Sequence, residues 1–183
     1  MSTTTRDVDH PTREQLDVGL DEIRRSPSSG GPLLMIVKRP DTDQREVVEE
    51  AELDLEVGIV GDNWRDRTDN LETQITIINS RALNLMAGSK DRWQVAGDQL
   101  IVDMDISIQN LPPGSRVAIG TTVIEFSEKP HTGCEKFSAR FGLDSLQFVS
   151  TPTGRDLRLR GVNCRLIQPG TIRVGDTVTK VTN

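Results

Sequence analysis

The sequence has no tyrosine, and aromatic residues make up only 3% of its 183 positions. A core with so few rings is filled by Val, Ile, Leu and Met, and the branched ones pack best on pleated strands. Only two cysteines occur, Cys134 and Cys164, which excludes a disulfide scaffold and allows one bridge at most. The two histidines, His10 and His131, do not join them in any finger-like spacing, so a structural zinc site has no support. A basic surplus is missing too: 22 Lys and Arg stand against 28 Asp and Glu, a net charge of −6. That field disfavours nucleic acid, whose non-specific binding depends on neutralising phosphates, but it leaves room for a local basic pocket. The longest apolar run, residues 33–37, stops at Lys38, far short of a membrane span. The opening residues lack the basic start and apolar centre of a secretory signal. The expectation is a cytoplasmic protein of one domain, with no nucleic acid and no membrane among its partners. No phosphate-cradling Gly-rich loop, dinucleotide fingerprint or nucleophile elbow is present.

What is present reads from the N-terminus as follows. Residues 1–11 are polar and aperiodic, the pattern of a loose tail. Residues 12–25 read as a helix: Thr12 and Gln15 fit a capping box, and Leu16, Leu20 and Ile23 share a face. Its plain role is packing or an oligomer contact, which leaves a homodimer open. The Ser, Pro and Gly of residues 26–32 read as a flexible linker, dividing 1–32 from a domain over 33–183. From there the text is strand-like. Strands are predicted over 33–38, 47–57, 74–78, 100–104, 116–119, 122–126, 158–167 and 171–181, with Gly and Pro turns between them. Short helices are predicted over 80–86, capped by Ser80, over 135–141, ended by a left-handed cap at Gly142, and over 144–149. Many short strands and few short helices imply a mainly β fold, a closed or nearly closed barrel.

Several segments, in order, resemble the MOSC domain, the module named for the C-terminal part of molybdenum-cofactor sulfurases. They are Val57-Gly58-Ile59-Val60-Gly61-Asp62-Asn63, then Gln74-Ile75-Thr76-Ile77-Ile78-Asn79, then Gly97-Asp98-Gln99-Leu100. Leu111-Pro112-Pro113-Gly114-Ser115-Arg116, His131-Thr132-Gly133-Cys134-Glu135-Lys136-Phe137 and the stretch from Arg160-Gly161-Val162 to Gly175-Asp176 follow. The resemblance covers about residues 33–181 and implies a MOSC-type barrel, similar to that of pyruvate kinase. Two segments depart from the family pattern. Asn63 and Trp64 stand where many relatives carry histidine, and Gly-Asp-Gln-Leu replaces Gly-Glu-Asn-Leu.

Cys134 falls between a strand and a helix, where a helix dipole stabilises a thiolate, and the resemblance makes it the family's functional cysteine. On residues alone it reads first as a small packed hydrophobe, and the resemblance is what reverses that order. Cys164 shares a strand face with Val162 and Leu166 and reads as core, with a resolving partner for Cys134 as the alternative. His131 is a candidate proton donor. Arg160, Arg140, Arg81 and Arg116 are candidates for an anionic phosphate, Arg81 and Arg160 first, with Lys136 beside the cysteine. Asn79 and Asp62 sit at turns and are candidate cofactor contacts or backbone caps. The resemblance implies a molybdenum cofactor (molybdopterin) with Cys134 as metal ligand, reducing small N-hydroxylated or N-oxygenated substrates. A separate electron donor is then implied, since the sequence carries no flavin or iron–sulfur motif. The alternatives are a sulfur carrier with a persulfide on Cys134, fed by a sulfur donor protein, and a binding domain without catalysis.

Overall fold

The structure, a computed structural model, describes residues 8–182. Its first strands are β1 (Gly31–Lys38), β2 (Glu46–Val48), β3 (Glu50–Asp54), β4 (Gly58–Ile59), β5 (Ile75–Asn79) and β6 (Leu100–Val102). The later ones are β7 (Arg116–Ile119), β8 (Thr122–Phe126), β9 (Val162–Gln168), β10 (Gly170–Arg173) and β11 (Thr177–Lys180). Seven of them form a closed barrel in the order β1-β11-β7-β8-β9-β5-β6, with β6 pairing back onto β1. Only β5 and β6 run parallel within the ring. β2 hairpins back on the end of β1, while β10, β3 and β4 make a small separate sheet. The barrel inferred from the sequence is the observed architecture.

Branched side chains fill the interior as the scarcity of aromatics requires. Ile36, Ile75, Ile77, Val117, Ile124 and Val162 belong to this core, and Phe126 is its single ring. β1 changes which face it turns inward at a register shift between Leu33 and Met35, so that Leu33 and Ile36 face the barrel while Met35 and Val37 face the helices. Cys164 lies in the interior, registered against Ile75 and Phe126, and burial pushes its thiol well above its ordinary value. That is the core reading, and it removes a reactive partner for Cys134.

The parallel pair β5 and β6 demands a crossover, and helices supply it. Helices α1 (Arg13–Val18), α2 (Leu20–Arg24) and α3 (Trp64–Arg67) precede α4 (Ser80–Ala87), which follows β5 directly and leads through a 3-10 segment, Lys90–Ala96, to β6. α5 (Glu135–Phe141), α6 (Leu143–Ser150) and α7 (Pro152–Asp156) connect β8 to β9. Leu16, Ile23, Met86, Phe137, Phe141 and Phe148 build a second core between these helices and the outer face of the barrel.

Several local expectations change. The Thr12 capping box forms as read, but the helix divides at Gly19 into α1 and α2. The stretch 26–32 is docked, not a free linker: Ser26 is buried and bonded to Ile23 and Asn79, and Gly31 and Pro32 pair with β11. The strand read over 47–57 breaks at Glu49, because β2 pairs with β1 and β3 with β10. Gly142 does take a positive φ (91°), but its extended ψ (161°) turns the chain straight into α6 instead of making a left-handed cap. The tail reading for residues 1–7 lies outside the described residues.

Asn79, and not Ser80, caps α4. Its side-chain oxygen accepts from the backbone of Arg81 and Ala82 at 2.8 and 3.0 Å, and its amide donates to Ser26 and to the Met104 carbonyl at 2.8 Å each. Losing a cap and two buried bonds is costly. Asn79→Ala is expected to lower stability by about 2 kcal/mol, with an unchanged denaturant slope in urea unfolding. A loss below about 0.5 kcal/mol would show that the cap is dispensable.

Candidate functional site

Beyond the end of β1 the chain places Arg39, and the loop after it places Asp43 and Arg45. Arg67 on α3, Lys136 and Arg140 on α5, and Arg160 just before β9 converge with them on a pocket of about 370 Å³. Such a concentration of positive charge on a chain of net charge −6 is a local construction, built from four separate segments.

Two carboxylates hold it from behind. Asp62 accepts from Arg39 three times, through the backbone nitrogen, Nε and Nη2, at 2.8, 3.0 and 2.9 Å, and also from the backbone of Trp64. Arg39 Nη1 reaches on to the Gly97 carbonyl. Burial pushes the Asp62 carboxyl up, but the hydrogen bonds and charge of Arg39 outweigh it and hold Asp62 below its ordinary value. Asp98 Oδ2 accepts from Arg160 Nη1 at 2.7 Å, and the Arg160 guanidinium lies over the Phe137 ring at 4.9 Å. Gln99 and Thr76 exchange bonds of 3.0 Å, tying the Gly97-Asp98-Gln99 segment to β5. Gly161, at φ +97°, permits the close approach: a Cβ there would lie 2.8 Å from the Ile77 carbonyl and 2.9 Å from Asp98 Oδ1.

The charges in the pocket do not balance. Arg39 is paired with Asp62, Arg160 with Asp98, and Lys136 and Arg140 share Asp43 at 3.5 Å each. Arg45 and Arg67 have no carboxylate partner among the described residues, and burial together with neighbouring arginines lowers the pKa of both. Seven buried side-chain atoms of the described residues lack a hydrogen-bond partner, and six belong to Arg45, Asn63, Asp98, Gln99, His131 and Arg160. Buried polar groups are nearly always satisfied, and each failure costs about 1–3 kcal/mol. Four of the six, on Arg45, Asn63, His131 and Arg160, belong to residues that line the pocket, and Asp98 and Gln99 lie behind it.

The structure gathers most of the residues singled out in the sequence. His131, Lys136, Arg140 and Arg160 line the pocket, and Asp62 supports it from behind. Cys134 is exposed at the N-cap of α5, two residues before Lys136 and three after His131, and is not among the lining residues. Arg81, Asn79 and Arg116 are not brought here. Arg81 is held by Asp103 at 2.8 Å and by Glu22, Asn79 is the cap described above, and Arg116 pairs across strands with Glu125. Sequence reasoning missed Arg39, Arg45, Arg67 and Asp98. Asp98 carried a signal in the altered Gly-Asp-Gln-Leu segment; the arginines carried none, since their pairing is long-range.

The idea that His131 changes charge near neutral pH is corrected. Burial, then the nearby Arg160 and Arg39, lower its pKa to about 4 against the pull of Asp98. Its Nδ1 lies 3.4 Å from Asp98 Oδ1 without the alignment of a hydrogen bond. His131 is therefore neutral at pH 7. The unfolded chain takes up this proton near pH 6.5 and the folded chain only near 4, so the contribution is present above 6.5 and is lost as pH falls towards 4. Urea unfolding is expected to show a loss of about 3 kcal/mol between these limits from this group, which is missing in His131→Gln. Identical pH dependence in the two proteins would contradict the assignment.

A model of the MOSC domain family matches residues 64–179. No curated protein sequence matches at significance. Among solved structures, the YuaD protein from Bacillus subtilis is similar with a TM-score of 0.59 at 15% identity, over 81% of this chain and 93% of that one. YiiM from Escherichia coli gives 0.56 at 18% identity, over 84% of this chain and 70% of that one. YiiM from Geobacillus stearothermophilus gives 0.52 at 15% identity, over 85% and 74%. At such identities the structural likeness establishes a shared fold. With the barrel and the family match over most of its length, the chain belongs to the MOSC domain family.

Proposed function

We propose that the chain binds an anionic molybdenum–pterin cofactor in the cationic pocket and reduces N-hydroxylated or related N-oxygenated small molecules. The observation that carries this reading is the surplus of guanidinium charge, Arg45 and Arg67 unpaired beside four further cations. The residues fit the phosphate of such a group, since planar guanidinium forks match phosphate oxygens in pairs. MOSC domains are associated with the molybdenum cofactor. Bound there, the cofactor would supply the redox chemistry.

The chain's own residues would do the rest. Arg45, Arg67, Arg140 and Lys136 hold the anion, and Asp62 and Asp98 fix the reach of Arg39 and Arg160. Neutral His131 offers one donor and one acceptor at the pocket wall, so it can hold a proton at one ring nitrogen without adding charge. Cys134 presents a thiol at the N-cap of α5, the ligand a soft metal prefers. Electrons come from a separate donor protein, in the cytoplasm.

A second reading is favoured by one feature: Cys134 is exposed and lies outside the pocket lining. A thiol so placed suits sulfur carriage. Its thiolate would take the terminal sulfur of a donor's persulfide, releasing the donor's thiolate, and then pass that sulfur on.

Elemental analysis for molybdenum, on protein from cells that make the cofactor, separates the readings. Stoichiometric molybdenum is expected, lost in Cys134→Ser, with pterin retention falling about tenfold or more in Arg45→Ala. Absence of molybdenum together with one extra sulfur atom on Cys134 by intact mass would favour the carrier. Absence of both would leave a binding domain and defeat both active readings.

A further inference from the structure

A second cavity, of about 430 Å³, adjoins the cationic pocket and shares only His131 and Arg160 with it. Its walls are more apolar, though four cations stand among them. Ile108, Pro113, Val149 and Val162 supply apolar surface, and Ile108 stands 42% exposed at the lip, a large apolar side chain left in water. The volume lies in the range of small-molecule sites, about 300–1,000 Å³.

Within this apolar wall sits Arg158, only 9% exposed and paired with no carboxylate among the described residues. Its Nη1 donates to the carbonyls of Ile106 and Leu111 at 3.0 and 2.6 Å, and its guanidinium lies 5.4 Å from the centre of the Phe126 ring. Those contacts stitch two loops together and engage one nitrogen of the fork. Nε and Nη2 have no acceptor among the described residues, and neither is sealed from solvent in the way that Arg160 Nε is. The backbone of Arg158 has φ +51°, which a non-glycine residue adopts at a cost when its surroundings hold it there. A desolvated, uncompensated cation in a strained turn is expensive if loop stitching is all that it does. Lys129 and Arg155 add positive charge at the rim against the single acid Glu128.

We propose that this cleft is a ligand site for a small aromatic or apolar molecule bearing one carboxylate, which pairs with the free side of the Arg158 fork. One buried guanidinium in an apolar wall suits a single negative charge. A dianionic phosphate would be drawn instead to the six cations next door and would lose more hydration in the apolar cleft. A bound acid would lie against His131 and Arg160, the wall common to both cavities. The inference does not depend on what fills the cationic pocket.

Titration calorimetry on the full chain with naphthoate and its uncharged isostere naphthamide tests it. Naphthoate is expected to bind with one-to-one stoichiometry and about tenfold or more tighter than naphthamide, the worth of a charge-assisted pair. Arg158→Gln should remove the preference for the acid. Should that variant fail to fold, Ile108→Glu, at an exposed position, should weaken naphthoate about tenfold while circular dichroism is unchanged. Equal affinity for acid and amide, or no binding, would overturn the proposal. So would naphthoate binding that Arg45→Ala abolishes and Ile108→Glu leaves alone, since the anion would then sit in the cationic pocket. None of these results bears on the molybdenum content, which is measured separately.

Discussion

Asp62 and Asp98 have no exposed side-chain surface, and each lies buried against a guanidinium, that of Arg39 or Arg160. Removing either carboxylate would leave an uncompensated charge in the wall of the site, a loss that usually costs far more than the pair itself contributes. The two pairs also fix geometry. Arg39 ties the end of β1 to the 61–63 turn and to the Gly97 carbonyl, and Arg160 ties the approach to β9 to the segment before β6. With these two neutralised, and Asp43 shared by Lys136 and Arg140, the pocket gathers six cations at a lower electrostatic cost.

The barrel supplies the frame on which those pairs act. β5 is buried along all five residues, as a strand with side chains packed on both faces must be, and its Thr76 anchors Gln99 beside Asp98. The interior holds the inert Cys164, while the helical layer positions α5 and with it Lys136, Arg140 and the exposed Cys134. His131 and Arg160 then stand between two cavities, one walled by polar and charged groups and one with an apolar wall around Arg158. The neutrality of His131 follows from the same arrangement, because burial and two nearby arginines act on it together.

Much of the fold was legible. Short branched runs joined at Gly120-Thr121 gave β7 and β8 at their observed limits, 116–119 and 122–126, and the helix ending before Gly142 has its observed limits, 135–141. What failed depended on partners distant in sequence. Nothing in residues 47–57 announces that the strand changes partner at Glu49, and nothing in residues 26–32 announces that Ser26 meets Asn79. The site shows the same division. His131, Lys136 and Arg160 stood out through local motifs, whereas Arg39 and Arg45 acquire meaning only when Asp62 and Arg140 fold against them. Arg81 looked equivalent to Arg160 in sequence, but Asp103 and Glu22 occupy it elsewhere.

That the cationic pocket is completed by an anion is the central claim, and His131 reports on it directly. With only His10 as the other histidine, NMR can follow the His131 ring through a pH titration with and without inorganic phosphate. The account predicts a pKa near 4 in the free protein, moving upward when phosphate offsets the arginine charges beside the ring. An ordinary value near 6.5, or a low value unmoved by saturating phosphate, would contradict it.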